Sequence, residues 1–411
     1  MISIATFGTT QIDSDELDNR KDSTQLFRGL VLQNSNATRP HKAKSLCRLL
    51  IVALLSTVLG REGSVIGQEP LTAAASSPQP TLGLQRRFGD EIMVCGQLYR
   101  IGAPVKLWID VGGFDAYRTD RRFAPFSQRK WKSTVEEMQA GKLDFVSKPQ
   151  ETIPDRYGLR FESAAIEHFT PAQLEQVRGG GWTLDLLRDK VDQFVLHFDV
   201  CGSSAECFYV LHDRRGLSVH FMLDVDGTIY QTLDLKERAW QATKSNDRSI
   251  GIEIANIGAY PVEGRNKTLQ QWYKQDKDGL TYLIFPETVR GRSAFESKIL
   301  RPRRNDPIIG AIRGTQYRQY DFTPQQYESL IKLSAALCDI FPGIRADAPR
   351  TPEGTIIDRT LTTEQWASFR GILGHYHVQE NKIDPGPAMD WEFLLAGVKK
   401  QLQTIRGNPA H

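Results

Sequence analysis

The chain has 411 residues, of which 40% are hydrophobic and 25% are charged, so it has the composition of an ordinary globular protein with room for two or three domains. Its 52 lysines and arginines nearly balance its 49 aspartates and glutamates, leaving a formal net charge of +3. The sequence contains no block of basic residues with interleaved aromatic residues, which argues against nucleic acid as a partner. No oligomeric state is indicated.

A short apolar run near the start predicts an export signal. Residues 49–59 (LLIVALLSTVL) follow a basic flank and precede small residues, which is the pattern of a secretory signal peptide. The run is shorter than the roughly 20 apolar residues of a spanning helix, so we expect no stable membrane span after signal cleavage. We therefore interpret residues 1–67 as a leader and predict a periplasmic or extracellular protein. If the run is instead a short buried helix, a cytoplasmic protein is expected.

Two further segments precede the main domain. Residues 68–85 are small, polar and proline-bearing, which is typical of a linker. Between residues 91 and 110 apolar and polar residues alternate, with glycine-containing breaks, which predicts two or three short strands. We interpret residues 86–160 as a small β-rich subdomain whose role the sequence leaves open.

Residues 161–411 alternate strand and helix patterns, which predicts an α/β fold with a mixed central β-sheet flanked by helices. Strands are predicted at 194–200 (FVLHFDV) and 249–255 (SIGIEIA), and a hairpin at 217–233. Residues 259–320 are rich in Arg, Gly and Pro with weak periodicity, and we interpret them as an insertion.

A capping box marks the helix that follows the insertion. Thr323 and Gln326 have the spacing that starts a helix, and Pro342 and Gly343 are expected to end it.

Polar residues in two of these segments have the chemistry of a metal site. The segment GHYHVQENKIDPGPAMDW places His375, Lys382 and Asp384 on a loop before a Pro-Gly turn. His197, in the centre of FVLHFDV, is the candidate for a second imidazole, although a histidine in an apolar strand is most often a core residue. Two imidazoles and a carboxylate would give Zn²⁺ three protein ligands and leave one position for water.

Four segments, taken in order, resemble the type 2 N-acetylmuramoyl-L-alanine amidase family, zinc enzymes related to the peptidoglycan-recognition proteins and phage lysozyme-type amidases. The segments are VLHFDV, LSVHFMLDVDGTIYQTLDLKERAWQA, SIGIEIANIG and GHYHVQENKIDPGPAMDW. The resemblance covers about residues 165 to 400, apart from the insertion. It implies a zinc amidase fold and a peptidoglycan or muropeptide substrate.

The resemblance also implies a role for each candidate site residue. The family's zinc ligands fall on His197, His375 and Asp384. The catalytic acid and base falls on Glu253, and the lysine that stabilises the oxyanion falls on Lys382. Because the loop after His375 is about one residue shorter than usual, His377 is an alternative ligand. In the absence of the resemblance, Glu253 and Lys382 would be ordinary surface charges.

Further matches concern the surroundings of the site. His220 corresponds to a histidine that lines the family's cleft, and Trp240 to the tryptophan of a Trp-His-Ala motif, so both are interpreted as substrate-binding residues. That motif has Gln241 in place of its histidine, which alters one substrate contact. Cys201 and Cys207 follow the first ligand as a disulfide does in peptidoglycan-recognition proteins, so the resemblance implies a bridge here, which export would permit.

The favoured function is therefore a zinc-dependent amidase that cuts between N-acetylmuramic acid and L-alanine. The alternative is a non-catalytic peptidoglycan-recognition protein, which typically lacks a zinc ligand that this chain keeps. Arginines of the insertion, among them Arg303 and Arg304, either meet carboxylates of the stem peptide or are solvated loop charges, and the second interpretation is favoured.

Overall fold

The computed structural model describes residues 87–117, 157, 158, 160, 170, 172, 173, 181–263 and 266–407. The predicted signal segment at 49–59 and the linker at 68–85 lie outside these residues, and so does most of 118–180. Within the described residues, no helix is both long enough and apolar enough to span a membrane.

The described helices and strands are as follows. The helices are α1 (Leu184–Arg188), α2 (Ser204–Phe208), α3 (Lys267–Trp272), α4 (Pro324–Ile340), α5 (Thr363–Ser368), α6 (His375–Val378) and α7 (Trp391–Gly407), with a π-helical turn at Tyr209–Arg214 and 3₁₀ turns at Thr243–Ser245 and Arg292–Ala294. The strands are β1 (Glu91–Val94), β2 (Gln97–Arg100), β3 (Val105–Leu107), β4 (Tyr157–Gly158), β5 (Gln193–Phe198), β6 (Phe221–Leu223), β7 (Ile229–Gln231), β8 (Arg238–Ala239), β9 (Ser249–Ile254), β10 (Tyr260–Pro261), β11 (Tyr273–Gln275), β12 (Thr281–Leu283), β13 (Ile308–Ile312), β14 (Thr315–Gln319) and β15 (Gly371–Gly374).

A mixed central sheet with the strand order β15-β5-β9-β6-β7-β3 forms the frame of the domain. Its neighbouring strands are parallel except for the antiparallel hairpin of β6 and β7. Every residue of β5 is buried, as expected for a parallel strand that is covered on both faces. The predicted α/β fold with a mixed sheet flanked by helices is thus confirmed.

The alternation of side chains along β5 and β9 separates the core from the functional face. Phe194, Leu196, Ile250 and Ile252 belong to the main apolar core together with residues of α4 and α7. Because side chains alternate between the two faces of a strand, His197 and Glu253 face the opposite side. Helix α4 begins at the predicted capping box and ends before the predicted Pro-Gly stop.

Part of the segment before the main domain joins the central sheet, while β1 and β2 form a two-stranded sheet of their own. Strand β3 pairs in parallel with β7 at the sheet edge, and Ile92 and Val94 of β1 lie in the same core as the central strands. Residues 87–117 therefore lie in the same compact unit, Leu82–His411, as the central sheet, and the small β-rich subdomain over 86–160 stays a prediction. The predicted short strands are present; β1 and β2 pair with each other, whereas the partner of β3 lies more than a hundred residues further along the chain.

The insertion is more regular than its weak periodicity indicated. It contains α3, the hairpin of β11 and β12, and a three-stranded sheet of order β10-β14-β13. Strands β13 and β14 are joined by Arg313 and Gly314, whose φ angles of 50° and 77° are those of a two-residue hairpin turn with both residues left-handed.

Candidate metal centre

Two neighbouring central strands bring His197 and Glu253 together. His197 on β5 and Glu253 on β9 are directly opposite each other in the parallel pair. Their side chains therefore lie on the same face of the sheet, near the carboxyl ends of both strands. The sequence pattern put Glu253 on the polar face of its strand but did not indicate which strand lies beside it.

His375 and Asp384 reach the same place from the edge strand. Strand β15 pairs in parallel with β5 and ends at Gly374, so that His375 is the first residue of the short helix α6. The following loop returns to the helix, because the Tyr376 N–H donates to the Asp384 carbonyl at 3.1 Å. Asp384 is thereby held beside the first turn of α6.

Three donor atoms converge at this point. His197 Nδ1, His375 Nδ1 and Asp384 Oδ2 lie 2.9 Å from one another in each pair. The three residues are 2%, 5% and 8% exposed, so little water is available to solvate these atoms. Within the described residues, this is the group of His, Cys, Asp and Glu side chains whose geometry could hold a metal ion.

The outer nitrogens of both imidazoles face amide oxygens. His197 Nε2 lies 2.5 Å from Gln241 Oε1, and His375 Nε2 lies 3.0 Å from Gln379 Oε1. Since a carbonyl oxygen only accepts, each Nε2 carries the proton and each Nδ1 carries a lone pair. The two Nδ1 atoms and Asp384 Oδ2 are therefore three acceptors 2.9 Å apart, with no proton between them to form a hydrogen bond. A cation would satisfy all three atoms at once, and two imidazoles with one carboxylate is a donor set that suits Zn²⁺.

The charges of the site shift the pKa values of its carboxylates in opposite directions. Burial raises the pKa of Asp384, whereas protonated forms of His375 and His197 would hold that pKa well below its usual range. Burial raises the pKa of Glu253 to about 7; the charge of Asp384 adds to this shift, and the charge of Lys382 reduces it. Two carboxyl groups in one site thus have different proton affinities, which is a common feature of active sites.

A cavity of about 160 Å³ contains these groups. His197, Glu253, His375, Lys382 and Asp384 all line it. The structure therefore brings together in one cavity the five residues to which the resemblance assigned metal binding and catalysis.

His377 is directed away from the three donor atoms. Its side chain is fully buried, its Nδ1 accepts a hydrogen bond from the Gly374 N–H at 2.9 Å, and its Nε2 lies 2.6 Å from the Ile357 carbonyl. Both nitrogens are thus used within the fold. Of the two histidines considered as ligands, the structure places His375 with His197 and Asp384.

The two residues interpreted as substrate-binding lie outside the cavity lining. His220 is fully buried, where its Nδ1 accepts from the Gly251 N–H and its Nε2 lies 2.9 Å from the Arg160 guanidinium. Burial and the charge of Arg160 lower the pKa of His220 to about 3. Trp240 packs against the guanidinium of Arg238. His220 therefore connects neighbouring segments of the fold, and substrate binding by His220 and Trp240 stays a prediction.

The rim of the cavity contains a strained residue. Val200 has a φ of 55°, which a β-branched residue rarely adopts, and its side chain is 52% exposed. Asp199 holds this turn, because its Oδ1 accepts hydrogen bonds from the N–H groups of Cys201, Gly202 and Asn256 at 2.9–3.1 Å. Strain of this kind persists where the surrounding contacts over-determine the backbone.

Cys201 and Cys207 both line the cavity, and their side chains are close enough for a hydrogen bond between them. The structure has them as thiols. A disulfide between the two residues stays a prediction.

Residues that the sequence did not single out complete the site. Gln379 is four residues after His375, a spacing that brings side chains together on a helix. Gln241 was noticed only as a departure from a motif. Arg160 is fully buried and donates to the carbonyls of Leu235 and Ser249, and no sequence pattern indicated its place.

Comparison with known families agrees with this geometry. Residues 187–387 match the family described as N-acetylmuramoyl-L-alanine amidase, and this range includes the candidate ligands together with Glu253 and Lys382. The matched residues, just under half of the chain, thus form a domain similar to that family. No curated protein matches the chain.

Several solved structures are similar to the chain at low identity. The N-acetylmuramyl-L-alanine amidase AmiD from E. coli, in complex with the substrate anhydro-N-acetylmuramic acid-L-Ala-D-gamma-Glu-L-Lys, is 18% identical over 51% of this chain and 57% of its own, with a TM-score of 0.27. An AmpD derivative is 17% identical over 62% of this chain and 98% of its own, with a TM-score of 0.27. The endolysin amidase LysCS from Clostridium intestinale URNW is 18% identical over 52% and 86%, with a TM-score of 0.27. The chain thus spans little more than half the length of AmiD.

Proposed function

We propose that the chain hydrolyses the amide bond between N-acetylmuramic acid and L-alanine in peptidoglycan or muropeptides, with Zn²⁺ as its cofactor. One observation carries the proposal: the lone-pair atoms of His197, His375 and Asp384 meet at 2.9 Å in the cavity that also contains Glu253 and Lys382. When bound, Zn²⁺ supplies polarisation of the amide carbonyl and acidification of water.

Glu253 is the proton carrier in this proposal. Its position opposite His197 puts the carboxyl group on the same face of the sheet as the three donor atoms. A carboxylate there takes a proton from the attacking water and delivers it to the leaving amine of L-alanine. The side chain is only partly exposed, which limits the loss of this proton to solvent.

Lys382 stabilises the negative charge that develops on the amide oxygen. Its side chain lines the cavity two residues before Asp384. Its backbone is fixed on both sides, because the N–H donates to the Gln379 carbonyl and the carbonyl accepts from the Arg313 guanidinium at 2.5 Å. An ammonium group that reaches the amide oxygen from this backbone position would stabilise the oxyanion by several kcal/mol.

Export is part of the proposal, because peptidoglycan lies outside the cytoplasm. It is supported by the signal-like pattern of residues 49–59. Mass spectrometry of the mature N-terminus from cell fractions tests it: a start beyond residue 59 in the exported fraction is expected, and full-length protein in the cytosol alone would contradict export.

The activity is tested by incubating the zinc-loaded protein with purified peptidoglycan and measuring the free stem peptides that appear. We expect peptides with a new L-alanine amino terminus from the wild type. Glu253→Gln should lower the rate by about 10²–10⁴-fold with unchanged zinc content, since it removes only the proton carrier. Glu380→Gln is the matched control, because Glu380 is exposed on the same loop as Lys382.

Two results would reject the proposed function. Zinc-loaded wild type that binds peptidoglycan but releases no peptide would favour the recognition protein instead. Equal loss of activity in Glu253→Gln and Glu380→Gln would show that Glu253 has no special role.

A further inference from the structure

Gln241 lies beside His197, on the side of the imidazole away from the other donor atoms. Its Oε1 is 2.5 Å from His197 Nε2, while His197 Nδ1 is 2.9 Å from both His375 Nδ1 and Asp384 Oδ2. An amide oxygen has no proton to give, so this contact requires a proton on Nε2. The neutral imidazole then has its lone pair on Nδ1, the atom that faces the other two donors.

Two residues of β9 set the direction of the Gln241 amide. Gln241 Nε2 donates to Ser249 Oγ at 2.9 Å, which turns Oε1 towards His197. A Cβ at Gly251 would lie only 2.2 Å from Oε1, so the missing side chain at this position leaves the space that the amide fills. Ser249, Gly251 and Glu253 alternate along one face of the strand. The face that carries Glu253 thus also holds the amide.

The backbone of Gln241 is fixed as well. Asn246 is 7% exposed, and its Oδ1 accepts hydrogen bonds from the N–H groups of Gln241 and Ala242 at 3.0 and 2.7 Å. Gln241 is therefore held at two points. The turn that contains Asn246 fixes its backbone, and β9 fixes its side-chain amide.

We propose that Gln241 is a positioning residue of the metal centre, which holds His197 in the Nε2–H tautomer and so keeps its Nδ1 ready to bind the metal. Gln241 thereby has a role inside the metal site instead of the substrate contact expected from its place in the sequence. Polar partners of this kind behind a ligand contribute about 10- to 100-fold to metal affinity. The inference rests on the proposed metal site, but its test reads metal binding and not amide hydrolysis.

The test measures the Zn²⁺ dissociation constant by competition with a chromophoric chelator. Gln241→Leu, which cannot accept the proton of Nε2, should weaken binding by about 10- to 100-fold. Gln241→Glu keeps an acceptor at this place and should bind Zn²⁺ about as tightly as the wild type. Gln270→Leu is the matched control, because Gln270 is exposed on α3, and it should have no effect.

The tautomer itself is read by long-range ¹H–¹⁵N spectra of the metal-free protein, which distinguish protonated from unprotonated ring nitrogens. In the wild type and in Gln241→Glu, His197 Nδ1 should be unprotonated, whereas Gln241→Leu should populate both tautomers. A residue that only stabilised the fold would not change this ratio.

Gly251→Ala gives a second route if Gln241→Leu does not fold. The added Cβ displaces the amide from His197 without removing any polar group, so weaker Zn²⁺ binding is again expected. The inference is overturned if the wild type binds Zn²⁺ and the folded Gln241→Leu or Gly251→Ala binds it equally well. Failure of the wild type to bind Zn²⁺ would instead reject the proposed function.

Discussion

The insertion should stabilise the loop that carries Asp384, and Gln319 on β14 is the residue through which it does so. Gln319 is fully buried. Its Nε2 donates to the Pro385 carbonyl at 3.1 Å and to Asn256 Oδ1 at 3.3 Å, and its Oε1 accepts from the Ala388 N–H at 3.0 Å. Pro385 directly follows Asp384, so this side chain holds the loop next to a candidate metal ligand.

Replacing Gln319 with Leu keeps most of the volume but removes these hydrogen bonds. The Pro385 carbonyl and the Ala388 N–H are then buried without their partner. Leaving a buried polar group unsatisfied costs about 1–3 kcal/mol, so we expect a loss of about 2–6 kcal/mol in the free energy of unfolding. Binding of Zn²⁺ should weaken as well, because the loop is less well held in the conformation that presents Asp384.

Urea unfolding of the metal-free protein measures the first effect, and chelator competition measures the second. Gln316→Leu is the matched control, since Gln316 lies on the same strand but is exposed, and surface substitutions usually change stability by less than about 0.5 kcal/mol. If Gln319→Leu lost no more stability than Gln316→Leu, the insertion would not support the loop in the way described.

Three other predictions concern stability and binding. Burial raises the pKa of Asp224 to about 7, so the folded state keeps a proton that the unfolded state releases near pH 4, and wild-type stability falls as the pH rises between these values. Asp224→Asn does not titrate, so its stability relative to the wild type should rise by about 1.4 kcal/mol per pH unit from pH 4 to 7 in urea unfolding; a flat difference would refute this. Val200→Gly should raise the melting temperature, because relief of about 1–2 kcal/mol of left-handed strain exceeds the roughly 0.5–1 kcal/mol entropic cost of glycine, and a lower melting temperature would contradict it. Replacing Arg303 and Arg304 with Leu should leave KM unchanged and destabilise the protein by about 3–5 kcal/mol, because both pair with the buried Asp321; a raised KM would place them in the substrate site.

The sequence predicted best those features that depend on local patterns. The alternation of SIGIEIA put Glu253 on the face opposite the apolar core, and the capping box at Thr323 located the start of α4. In both cases the signal is contained in a few consecutive residues. The chemistry of the site also followed from residue types, since imidazoles and a carboxylate are metal donors wherever they meet.

Contacts between distant residues could not be predicted from such patterns. His197 and His375 are 178 positions apart, and only the resemblance to a family indicated that they meet. The pairing of β3 with β7 and the burial of His220 against Arg160 depend on which segments become neighbours in three dimensions. Local periodicity contains no information about either of these contacts.

The proposed metal centre and its activity are tested most directly by titrating metal-free protein with Zn²⁺ while measuring hydrolysis of an N-acetylmuramoyl-L-alanyl peptide. We predict that activity rises with added metal and stops rising at about one equivalent per chain, with free L-alanyl peptide as the product, and that His375→Ala gains no activity at any concentration. Cleavage that does not depend on Zn²⁺, or that persists in His375→Ala, would contradict the proposed metal centre. No cleavage with one equivalent bound would contradict the amidase activity itself.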